Sequence, residues 1–86
     1  MFWGNVLGDL ETGLATALRA GKTPAAVAAE VMRNYGAFVR VRLKELSVWE
    51  LTSALKKNGH DRSVLCTPPG QTFLAELHAE LIRLCG

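Results

Sequence analysis

Leu7, Leu10, Leu14 and Leu18 recur at spacings of three and four, which places them on one stripe of a helix. Gly21 follows, where a helix C-terminus favours a residue free to take positive φ. Thr23 and Pro24 then supply an N-cap and a first-turn proline. The run Ala25 to Met32 is dense in alanine, a good helix former with a thin surface for close packing. Val27, Val31 and Tyr35 share one side of it, and Gly36 is positioned to end it near Tyr35. So short a turn predicts an antiparallel helical hairpin over Leu7 to Tyr35.

Ala37 to Leu46 carries two patterns. As a strand it would alternate Val39, Val41 and Leu43 against Phe38, Arg40, Arg42 and Lys44; as a helix it would align Val39, Leu43 and Leu46. The helix is favoured, because the flanks are helical and a lone strand needs a partner. The alternative is a short two-stranded β ribbon pairing 37–44 with 63–67. Ser47 and Glu50 have capping-box spacing and open a helix to about Lys57, with Val48, Leu51 and Leu55 on one face. Asn58-Gly59 ends it, and His60 to Cys66 is a connector or short strand. Thr67-Pro68-Pro69-Gly70 reads as a stiff turn before a last helix from about Gln71 to Cys85. That helix carries Leu74, Leu77, Leu81 and Leu84, flanked by Phe73, His78 and Cys85. The expected fold is mainly α, a single domain over residues 1–86 with about four helices.

Composition adds a problem of burial. Hydrophobic residues make up 49% of 86 positions, and a chain this short hides only about 60% of its unfolded surface. Homodimerisation or docking on a partner protein would cover the excess. Phe2 and Trp3 either fold over one end of the core or offer an aromatic anchor. The start lacks the features of a signal peptide, and no apolar run reaches the length of a membrane span, so a cytoplasmic location without membrane contact is expected.

Little in the chain points to chemistry. His60, Cys66, His78 and Cys85 are ligand types at spacings that no compact zinc site uses, so no metal or other cofactor is expected. Ser47, Ser53 and Ser63 have no base or orienting group at a telling distance along the chain. Asp9 and Glu11 point apart on a helix, and Gly21-Lys22-Thr23 lacks the upstream glycine of a phosphate loop. No enzymatic activity is expected.

Charge is more informative than its net value of +2. Arg33, Arg40, Arg42, Lys44, Lys56, Lys57 and Arg62 crowd the middle of the chain, where acidic residues are sparse. They are candidate contacts to the phosphates of double-stranded DNA. The run from Asp61 to Leu74 resembles the wing and following helix of winged helix-turn-helix regulators, in which a wing strand ends in a Thr-Pro-x-Gly turn and enters a leucine-rich dimer helix. The resemblance implies that Ser47 to Lys57 sits where a recognition helix sits. Two functions follow as expectations. One is a small non-enzymatic regulator that binds DNA through its basic centre and dimerises through Phe73, Leu74, Leu77, Leu81 and Leu84. The other is a protein-interaction module, an accessory or inhibitor protein that docks through an apolar helix face.

Overall fold

Where the leucine stripe predicts a first helix, α1 runs from Trp3 to Ala20 and buries Val6, Leu7, Leu10, Leu14 and Ala17. This computed structural model describes residues 3–58 and 63–85; Phe2 and the Trp3 side chain, Gly59, His60, Asp61 and Arg62 lie outside that description. Gly21 adopts φ +72°, and the Lys22 amide donates to the Ala17 carbonyl at 2.9 Å, closing α1 as a Schellman turn. Thr23 then caps α2, Pro24–Val41: its hydroxyl accepts from the Ala26 amide at 3.2 Å, and Pro24 occupies the first turn, where a missing N–H costs nothing.

α2 does not stop at Tyr35. It bends there, with Tyr35 at φ −134° and ψ 26°, and resumes through Val41. Gly36 marks a kink instead of a C-terminus. The reason is tertiary: Val39 and Leu43 beyond the kink are fully buried, and a helical continuation delivers both to the core. A 3₁₀ turn, Leu43–Glu45, follows. The alternative ribbon of 37–44 and 63–67 is therefore not formed, since the first segment is helix and 3₁₀ turn and Ser63–Cys66 is a helical turn, α4. The wing of the winged-helix resemblance fails with it, as no strand enters Thr67.

α3, Val48–Asn58, opens on the expected capping box. The Glu50 amide donates to Ser47 Oγ, and the Ser47 amide donates to Glu50 Oε1, each at 3.1 Å. α5 runs Pro68–Cys85, three residues longer at its start than the sequence pattern suggests. Thr67-Pro68-Pro69-Gly70 begins the helix instead of breaking structure: Thr67 Oγ1 accepts from the Gly70 amide at 3.2 Å, and the prolines fill positions that need no donor.

α5 is the hub. It makes the largest interface of the molecule with α2 and also packs on α1, α3, α4 and the 3₁₀ turn. Phe73, Leu74, Leu77 and Leu81 enter a single core with Leu10 and Leu14 of α1, Val31 of α2, Leu43, Leu51, Leu55 and Leu65. His78 donates from Nε2 to the Leu46 carbonyl at 2.7 Å, tying the entry to α3 onto α5. The described residues form a mainly helical domain with four helices of 11–18 residues, the four-residue α4, and no strand. Its radius of gyration is 11.5 Å, close to the roughly 12 Å expected of a compact chain this long.

Candidate functional site

Trp49 stands in the first turn of α3, two residues before the buried Leu51 and so about 160° round the helix from it. Its side chain cannot join the core and is 74% exposed. It borders a shallow groove of about 510 Å³. Glu50, Ser53, Ala54 and Lys57 continue along the same flank of α3, while Leu7 of α1 and Leu46 form the other side. The capping box and the His78–Leu46 hydrogen bond hold this corner of the molecule in place. Val48, 37% exposed, precedes Trp49 but does not line the groove. A second concavity, of about 260 Å³, lies between α1 and α2 and is edged by Asp9, Thr12, Thr16, Lys22, Glu30 and Asn34.

The candidate phosphate-binding residues are distributed over several elements. Arg33 and Arg40 are exposed on α2, and Arg40 folds its guanidinium back to within 3.1 Å of where a Gly36 Cβ would sit. Arg42 is exposed at the C-cap of α2, its amide donating to the Phe38 carbonyl at 2.9 Å. Lys44 is exposed in the 3₁₀ turn, Lys56 is half-buried and Lys57 exposed in the last turn of α3, and Arg62 lies outside the described residues. α2 packs mainly on α5, whereas α3 packs on α1 and α5, and α2 and α3 share at most a marginal contact. The α2 arginines and the α3 lysines thus stand on helices that are joined mainly through α1 and α5.

The five candidate interface residues divide unevenly. Phe73, Leu74, Leu77 and Leu81 are buried within the chain itself, and only Leu84, 37% exposed, faces outward. The amphipathic stripe of α5 is largely consumed by the fold, and among the described residues the other exposed large apolar side chains are Trp49, Val48 and Val41, the last 72% exposed. Trp49 belongs to none of the periodic stripes in the sequence. The signal was there: with Leu51 and Leu55 facing inward, an indole at position 49 must fall on the outer side of α3.

Glu11, only 8% exposed, is the buried charged residue of α1 and does not line the groove. Among the described residues, no three His, Cys, Asp or Glu side chains gather as a metal ion would require. Cys66 and Cys85 are both free thiols. None of the described helices is long and apolar enough to cross a membrane. No family model matches the chain, and neither a curated protein nor a solved structure is significantly similar to it.

Proposed function

We propose that this chain is a non-enzymatic protein-interaction module whose contact face is the outer flank of α3, centred on Trp49. The observation that carries the reading is the 74% exposure of the indole at the rim of a groove whose other side is formed by Leu7 and Leu46. A tryptophan buries roughly 150–250 Å² when covered, and indoles are the side chains most enriched among residues that dominate binding energy. Trp49 has no part in the core, whose share of α3 is supplied by Leu51 and Leu55. It is also held on a capped helix, so little ordering cost attends its docking.

The test is a photo-crosslinker, benzoylphenylalanine, placed at position 49 in living cells. A discrete protein adduct is expected from position 49, and none from position 29, an exposed alanine on α2 away from the groove. No adduct at 49, or equal labelling at both positions, overturns the reading.

DNA contact is a second reading, supported by one observation: Arg33, Arg40, Arg42 and Lys44 are all exposed along one continuous stretch of chain. A basic contact of that kind must weaken steeply with salt as counterions are released. A gel shift on random duplex at low and moderate salt tests it, and no retention at low salt removes it.

A further inference from the structure

We infer that the occupant of the Trp49 groove is a second copy of this chain, paired through antiparallel α3 helices about a two-fold axis beside Ser53 and Ala54. The inference rests on the interaction-module reading above and adds the identity of the partner.

The argument starts from the order of residues along one flank. Trp49, Glu50, Ser53, Ala54 and Lys57 line the same groove. Glu50 and Lys57 are seven residues, or about two helical turns, apart and so lie on the same side. One is acidic in the first turn and the other basic in the last. A two-fold interface sets each patch against itself in reverse. With the axis between Ser53 and Ala54, Glu50 of each copy, whose Oε1 already accepts from the Ser47 amide, meets Lys57 of the other through its second carboxylate oxygen, forming two opposite-charge pairs. A parallel arrangement would instead set like against like. Ser53 and Ala54, at the centre, are half-buried, Ala54 at the edge of the chain's own core, and both are small enough to let two helices approach within the usual 8–10 Å. Each indole then lies over the last turn of the other α3, against the aliphatic stem of its Lys57, where the ring face also favours the ammonium. The flank is thus complementary to its own reverse in both charge and shape.

Size sets the strength. α3 has 11 residues and is about 16 Å long, so its flank covers less than the roughly 800 Å² per partner of a standard interface. A dimer in the micromolar range is expected.

Sedimentation equilibrium over a concentration series tests the proposal, with far-UV circular dichroism to confirm that each variant is folded. The wild-type chain is expected to dimerise. Glu50→Lys and Lys57→Glu each place like charges in both pairs and are expected to weaken self-association about tenfold or more. Mixed in equal amounts, these two variants should form a heterodimer, and the double variant carrying both changes should regain the homodimer. Trp49→Ala should weaken association by about 10- to 100-fold while leaving the helix content unchanged. A wild-type chain that stays monomeric to about 1 mM overturns the proposal, as that bounds the interaction beneath useful affinity. So do charge variants that self-associate like the wild type, or a mixture that shows no recovery. A monomeric chain whose position-49 crosslinker captures a different protein would sink the second-copy inference alone. A monomeric chain with no adduct would sink the module reading as well.

Discussion

Gly13 sits in the middle of α1, and a Cβ added there would meet nothing within 4 Å. Its backbone is helical, so it carries the entropy cost of glycine without using its freedom. Gly13→Ala is expected to stabilise the chain by about 0.5–1 kcal/mol, raising Tm by a few degrees in a thermal melt. His78 is the opposite case. Its ring bonds a partly buried carbonyl, and His78→Phe would leave the Leu46 oxygen without that donor. A loss of about 1–2 kcal/mol is expected in urea unfolding, larger than a surface histidine would give. Single residues were unevenly legible in the sequence. Leu7, Leu10, Leu14, Leu51, Leu55, Leu77 and Leu81 announce themselves by spacing and all are buried. The His78–Leu46 bond joins positions 32 apart and leaves no periodic trace.

Local chemistry decides where elements begin. The S-x-x-E box at Ser47 was readable because both partners lie within four residues, and the hydrogen bonds are those the motif requires. Thr67 misled because a Thr-Pro-Pro-Gly run serves equally as a turn or as the opening of a helix. The choice fell to burial: Gly70 and Phe73 are buried, which fixes the first turn of α5 against its neighbours. Thr67→Ala should therefore cost about 1 kcal/mol in denaturant unfolding, the usual loss for an N-cap, whereas a threonine in an ordinary exposed turn would give almost none. The extension of α2 past Gly36 was obscure for a related reason. Glycine after a tyrosine is a good stop signal, and only the burial of Val39 and Leu43 overrides it.

At the scale of the molecule, the question is which apolar surface the fold uses and which it leaves. Leu81 is fully buried against the rest of the core, so Leu81→Asp is expected to unfold the chain, with loss of the helical dichroism signal. Retention of a folded monomer would mean that α5 presents this residue to a partner. The excess of hydrophobic composition was legible from the sequence; its location was not, because that depends on which helix captures the centre. α5 does so, touching every other helical element, and α3 is left with an uncovered tryptophan. This arrangement has a consequence for how the chain is made. Synthesis runs from α1 towards α5, so the leucines of the first three helices leave the ribosome before the helix that covers them exists. At about 5–20 residues per second that exposure lasts for seconds, long compared with the time in which apolar chains collapse. The apolar side chains of α1, α2 and α3 therefore stay without their common packing surface until α5 emerges.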